Sequence, residues 1–282
     1  MKRTIKNPLR QNQSGFSLVE LLVVTAMLGL IVTAIYNVFN NQGRISRAQQ
    51  SILEMQSNGR AVINYLSQSF AHAGFGTSET NSQFLDFTNG TFDDIVIIRY
   101  GYRDIGTVTT NATQTSTISY TPTISDYSAI NAVSFFPSTT PNNEFSASAG
   151  ATQITIGKDV GFVPANAKIY QVGDITFKLN TDGELERVAG GDTEKIAKNV
   201  VCFKMAYSTK NPAEWKTDND SSVKPKAIYI YLVFRTENKE PGFNQGNNFK
   251  IPWETDKLAP ITPEDGYHYQ DFQAMVWVRN AN

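Results

Sequence analysis

The stretch QNQSGFSLVELLVVTAMLGLIVTAIYNVF, Gln11 to Phe39, decides how the rest of this 282-residue chain is read. It holds one charge, Glu20, five residues into an apolar run that begins at Phe16. As a helix, Phe16 to Phe39 would span about 36 Å, enough for a hydrocarbon core of roughly 30 Å with some tilt. A carboxylate well inside such a span costs on the order of 2.5–3.5 kcal/mol unless it is paired. One account is that Glu20 snorkels at the interface near the positive end of the helix dipole. The other is that cleavage after Gly15 frees an α-amine on Phe16, and the carboxylate pairs with that amine or with a neighbouring subunit's.

Upstream, Lys2, Arg3, Lys6 and Arg10 come with no acidic residue among them, which favours a cytoplasmic N-terminus. A secretory signal would end in small residues at a cleavage site after the apolar run. Here the run passes through Tyr36-Asn37-Val38-Phe39 into a helical pattern, and the small residue, Gly15, precedes it. Cleavage there would leave the apolar helix in place.

The segment SGFSLVELLVV resembles the type III leader of type IV pilins and type II secretion pseudopilins: a basic leader, Gly, then Phe, with Glu at the fifth mature position. That resemblance implies processing by a prepilin peptidase between Gly15 and Phe16, N-methylation of Phe16, storage in the inner membrane with the head outside, and later extraction into a helical filament. In the filament Glu20 would neutralise a neighbour's N-terminal amine.

Downstream, Ile45, Ala48, Ile52, Met55, Gly59, Val62, Leu66, Phe70 and Ala73 follow spacings of three and four, one apolar stripe of an amphipathic helix. Gly74-Phe75-Gly76 supplies the stop. The spacing predicts one helix from Phe16 to about Ala73, near 87 Å long at roughly 1.5 Å per residue. Gly29, in the apolar half, lowers helix stability by roughly 1 kcal/mol relative to Ala. The segment EMQSNGRAVINYLSQSFAHAGFG, Glu54 to Gly76, resembles PilW-type minor pilins, counterparts of the GspJ-type minor pseudopilins, through Gln56, Asn58-Gly59-Arg60, Ala61, Tyr65, Leu66 and Ala73-Gly74-Phe75. Ser67-Gln68-Ser69 departs from the charged residues usual there, and the Cys often found after the aromatic is missing.

After Gly76 the pattern turns strand-like. Runs at 92–100, 116–120, 132–136, 152–156, 167–172, 174–179, 184–188, 196–207, 227–236 and 273–279 are strand candidates. Asn180-Thr181-Asp182-Gly183 reads as a hairpin turn between two of them. The remaining stretches, 106–131 around the short 116–120 strand, 137–150, 208–225 and 236–264, are rich in Ser, Thr, Asn, Gly or Pro and read as loops. The expected fold class is α+β, pilin-like: a long N-terminal helix on an antiparallel sheet. The expected divisions are a leader over 1–15, a transmembrane and filament-core helix over 16–40, an amphipathic continuation over 41–76, and a β-rich head over 77–282.

Charge limits the partners. Without the four leader cations, 21 basic residues face 26 acidic ones, and a mildly acidic body without basic clusters argues against nucleic acid. The single cysteine, Cys202, sits in an apolar run, so no internal disulfide or cysteine-based metal site can form. His72 and His268 have no recognisable partner in the sequence. Asp93-Asp94 reads as a turn-and-edge pair. The oxygens of 180–184 and 218–220 do not fit a twelve-residue calcium loop. Trp215, Trp253 and Trp277 read as core or loop anchors. No catalytic, cofactor-binding or metal-binding residues are expected, and no cofactor.

The resemblance implies a minor pilin that joins other minor pilins in a priming or tip complex and meets the major pilin, the prepilin peptidase, the inner membrane and a tip adhesin. Glu20 argues against the extreme tip subunit, which can lack it. Two alternatives stand beside it: a minor pseudopilin of a type II secretion system, and a binding module for adhesion or DNA uptake. The 267 residues left of 282 after a 15-residue leader favour the pilus, since GspJ-type proteins are usually shorter.

Overall fold

The computed structural model describes residues 17–77, 85–90, 93–128, 130–136, 144–158, 160–210, 214–217, 224–246, 249–253, 259 and 261–279. The chain divides into two compact units, Met1–Gln50 and Ser51–Asn282. Helix α1, Leu18–Ala71, is 54 residues long and contributes to both. In the first unit its side chains are exposed almost throughout. In the second it buries Met55, Gly59, Val62, Leu66 and Phe70 of the predicted stripe, and Ile63 beside it.

Fourteen described strands follow: β1 Leu85–Asn89, β2 Asp94–Val108, β3 Ala112–Thr113, β4 Thr117–Pro122, β5 Ala132–Phe136, β6 Glu144–Ala149, β7 Gln153–Ile156, β8 Phe162–Val163, β9 Lys168–Leu179, β10 Leu185–Ala189, β11 Asp192–Ala197, β12 Val200–Ser208, β13 Ala227–Arg235 and β14 Tyr269–Trp277. All their pairings are antiparallel. The fold is α+β, as expected, but the sheet is not simple.

Two long strands organise it. The first halves of β2 and the second halves of β9 pair beneath α1, flanked by β1, β10 and β11. Register shifts at Gly101/Arg103 and Asp104/Gly106 then bend β2 relative to β9, since each extra residue kinks the strand and adds twist. Past the bend, β2 pairs with β4, β4 with β7, β7 with β6, β6 with β5, and β5 with β9, which closes a ring back to β2. The ring encloses a separate apolar core that includes Ile105, Ile118, Val133, Phe135, Phe145, Ile154 and Ile169. Gly106 is needed at the bend, because a Cβ there would strike the Tyr120 ring and the Thr121 carbonyl.

The third group, β12-β13-β14, forms its own sheet. Its inner face sets Phe203, Met205, Ile228, Ile230, Leu232, Phe234 and Phe272 into the same core as α1 and as Val96, Ile98, Ile175 and Phe177 of β2 and β9. On the opposite face, Cys202, Tyr231 and Val233 are covered by Phe249, Ile251, Ala259 and Ile261 from the connection between β13 and β14.

Several expectations change. The runs at 167–172 and 174–179 are one strand, β9; Gly173 does not break it but makes room for the Tyr102 ring. The 137–150 loop contains β6, whose EFSASA sequence buries only Phe145 and is held by pairing on both sides. The run at 196–207 begins as β12 only at Val200, and the exposed residues before it form the separate edge strand β11. β1 has no counterpart among the predicted strands. The predicted turn is present: Asn180 Oδ1 accepts from the Asp182 and Glu184 amides at 3.0 and 2.9 Å, and Gly183 takes φ +74°.

Candidate functional site

Gly15 and Phe16 lie outside the described residues. Glu20 is described, in the first turn of α1. The Ser17 amide donates to Glu20 Oε2 at 3.0 Å, and the Val19 amide donates to Ser17 Oγ at 3.3 Å. The Leu21 amide donates to the Ser17 carbonyl at 3.1 Å. This is the arrangement of a capping box with one bond shifted: Glu20 satisfies the Ser17 amide, while Ser17 Oγ takes the Val19 amide instead of that of Glu20. Ser17-x-x-Glu20 carries that spacing in the sequence. The carboxylate therefore sits folded back on the Ser17 amide at the start of the helix.

Beyond this cap, α1 offers an apolar surface. From Leu18 to Phe39 its large apolar side chains are between 46 and 79% exposed. Contiguous apolar surface of that extent marks a membrane or protein interaction site. Among the described residues, α1 is the one helix long and apolar enough to cross a membrane.

The second resemblance-bearing segment has a packing role. Gly59 faces the Phe272 ring of β14, and a Cβ on it would fall inside that ring's contact distance, 2.6 Å from Cδ2. After the helix, the Gly74 amide donates to the Arg99 carbonyl at 2.9 Å and the Gly101 amide to the Phe75 carbonyl at 2.7 Å, so the Gly-Phe-Gly turn is fastened to β2.

Other sequence candidates resolve as follows. Asp94 is not an edge residue: it is fully buried. Its Oδ1 pairs with Lys204 Nζ at 2.8 Å and its Oδ2 accepts from the Met205 amide at 2.8 Å. Lys204 also donates to the Gly90 carbonyl. Burial pushes the Asp94 carboxyl above the usual range, against the pull of Lys204 and the amides of Met205 and Gly90. The Asp93–Phe203 bridge lies next to it, so the pair sits where the two larger sheets meet. Nothing local in the sequence pointed to it, because Lys204 is 110 residues away.

His72 is exposed just past α1. His268 does have a partner: its Nε2 lies 2.8 Å from Glu240 Oε2, and its ring stacks on Phe243 at 3.7 Å. Cys202 is buried as expected, and burial pushes its thiol up to about 12. Glu184 pairs with Lys195 at 2.6 Å rather than converging with Asp182 on a cation; residues 218–220 lie outside the described residues. Among the described residues no group of three or more His, Cys, Asp or Glu could hold a metal. Trp215 and Trp253 both pack edge-on against Tyr229, at 5.1 and 5.4 Å. Trp277 is half exposed rather than a core anchor.

Residues 10–36 match the model of the prokaryotic N-terminal methylation motif. Among solved structures, the chain is similar to a type IV-like pilin from Thermus thermophilus, with 15% identity, a TM-score of 0.44, and coverage of 82% of this chain and 96% of that one. No curated protein matches.

Proposed function

We propose that this chain, type IV pilin-like in its N-terminal motif and α+β fold, is a minor pilin of a type IV pilus, and that its role is assembly rather than catalysis. The observation that carries this reading is the capped carboxylate of Glu20 on the first turn of an exposed apolar helix, inside the matched motif. The cap satisfies one amide, but a carboxylate inside an apolar run still costs free energy in a bilayer unless its charge is paired. A filament subunit can pair it, because the carboxylate sits where a neighbour's N-terminal amine can meet it as apolar helices pack side by side.

In this reading residues 1–15 are a cytoplasmic leader removed between Gly15 and Phe16 by a prepilin peptidase, and Phe16 is N-methylated. Residues 16–40 anchor the chain in the inner membrane and later enter the filament core. Residues 41–76 continue that helix into the head at 77–282. The partners are other minor pilins in a priming or tip complex, the major pilin beneath them, and a tip adhesin, with the assembled pilus at the cell surface. The PilW-type assignment is supported by Asn58-Gly59-Arg60, whose glycine admits the Phe272 ring.

The test is mass spectrometry of the membrane-extracted protein after expression with a prepilin peptidase, followed by cross-linking in piliated cells. The expected mature N-terminus is methylated Phe16. Glu20→Val should be processed and inserted normally yet be lost from sheared pili. Normal incorporation of that variant would overturn the charge-pairing role, and an uncleaved leader would overturn the assignment itself. Recovery with a secretion pseudopilus instead would transfer the chain to that machine.

A further inference from the structure

We propose that Asn37, Asn40, Asn41, Arg44 and Arg47 form a binding site for the phosphate of an anionic phospholipid in the non-cytoplasmic leaflet. The site rests on the membrane-anchored stage of the function above and adds a ligand to it. At 3.6 residues per turn these five positions fall within an arc of about 120° on α1, and their side chains line one shallow concavity. All five are exposed. No acidic residue occurs between Glu20 and Glu54, so this stretch of the sequence carries net positive charge.

Position supplies the ligand. The apolar run ends at Phe39, and Arg44 and Arg47 lie about 7.5 and 12 Å further along the axis at 1.5 Å per residue. Helical side chains lean toward the helix N-terminus, which here is toward the bilayer. Arg47 shows this directly: its Nε donates to the Gly43 carbonyl one turn back, at 3.1 Å. Its terminal nitrogens are thereby carried toward the headgroup layer. Arginine matches a phosphate with paired donors, and the asparagine carboxamides add donors nearer the apolar boundary. The orientation of the helix is already set by the four leader cations, so a basic pair on the opposite flank is not needed for topology. A phosphodiester headgroup gives it a use: holding the subunit at one depth until extraction.

The test uses the full chain in lipid nanodiscs with Lys2, Arg3, Lys6 and Arg10 changed to Gln, which removes the leader's own attraction for anionic lipid. Association of spin-labelled phosphatidylglycerol is compared with that of spin-labelled phosphatidylcholine. The leader-neutral chain should prefer phosphatidylglycerol, and adding Arg44→Gln and Arg47→Gln should reduce that preference roughly five-fold per arginine. Glutamine is a good helix former, so α1 should persist, which circular dichroism checks. No preference in the leader-neutral chain, or an unchanged preference in the arginine variant, would overturn the site. Displacement of the lipid by excess inorganic phosphate would reassign it to a free anion and overturn the lipid assignment. Failure of the chain to enter the disc would overturn the anchored reading itself, and the site with it, before any lipid is compared.

Discussion

Replacing Gly59 with Ala sets two effects against each other at one position. In a helix interior, Gly→Ala is normally stabilising by about 1 kcal/mol, because alanine restricts the unfolded chain and exposes less backbone. Here the new methyl would meet Cδ2, Cε2 and Cζ of Phe272, all at less than real contact distance. Phe272 has little freedom to retreat. It is 8% exposed, its strand is paired to β13 at Leu232, and its ring packs edge-on to Phe234 at 5.5 Å. Contacts this close put the cost toward the upper end of the roughly 1–3 kcal/mol that overpacking brings, so against the gain of about 1 kcal/mol the net expectation is a loss of about 1–2 kcal/mol. The assay is urea unfolding of the full chain in detergent followed by tryptophan fluorescence, since Trp215, Trp253 and Trp277 all report on the β12–β14 sheet. Phe272→Ala alone should cost about 3–5 kcal/mol. In that background Gly59→Ala should cost nothing or stabilise, a coupling of at least 1 kcal/mol between residues in contact. A neutral or stabilising Gly59→Ala in the Phe272-intact chain would refute the close packing on which this account of the Asn-Gly-Arg segment depends.

Gly43→Ala, with no atom within 4 Å of its Cβ, should instead raise helix stability by roughly 1 kcal/mol, seen as slower amide exchange around residue 43. Lys204→Met should destabilise by about 3–5 kcal/mol by leaving Asp94 buried without its cation; an effect below 1 kcal/mol would show that the pair is dispensable. The pH dependence has a definite sign: Asp94 is held above its unfolded value, near 3.9, so the unfolded chain loses this proton first. Its contribution to stability is therefore present below that value and declines as pH rises through the native one, and Asp94→Asn should flatten that part of a urea-midpoint profile. Cys202, with its thiol pushed up to about 12 inside the fold, should resist iodoacetamide at neutral pH and react only as urea unfolds the sheet; rapid labelling of the folded chain would contradict its burial.

The parts that were legible in the sequence are those whose cause is local. The helix from Leu18 onward announces itself through an apolar run with one charge and then a three-four stripe, and the 180–183 turn through Asn and Gly at fixed offsets. Ser17-x-x-Glu20 is local in the same way, a Ser and a Glu at the spacing of a first helical turn. What stayed hidden depends on partners far apart. Arg99 joins Glu144 and Asp174, 45 and 75 residues away, and the ring closes only because β2 and β9 pair across the whole excursion between them. β6 could not be read as a strand because its small hydroxyl and alanine side chains have little β preference of their own. β11 was missed because nearly every residue in it faces water.

The way β2 and β9 are shared has a mechanical side. Both strands run unbroken from the sheet beneath α1 into the ring, so a pull on the ring's loops is carried into that sheet along two covalent lines. Among the described residues, these two strands join ring and sheet through continuous backbone. The load then spreads sideways as shear along the β1 and β10 ladders, where the bonds of a strand share it, rather than opening one after another as in a zipper. A domain built this way passes a load applied at the ring directly into the sheet that packs on α1.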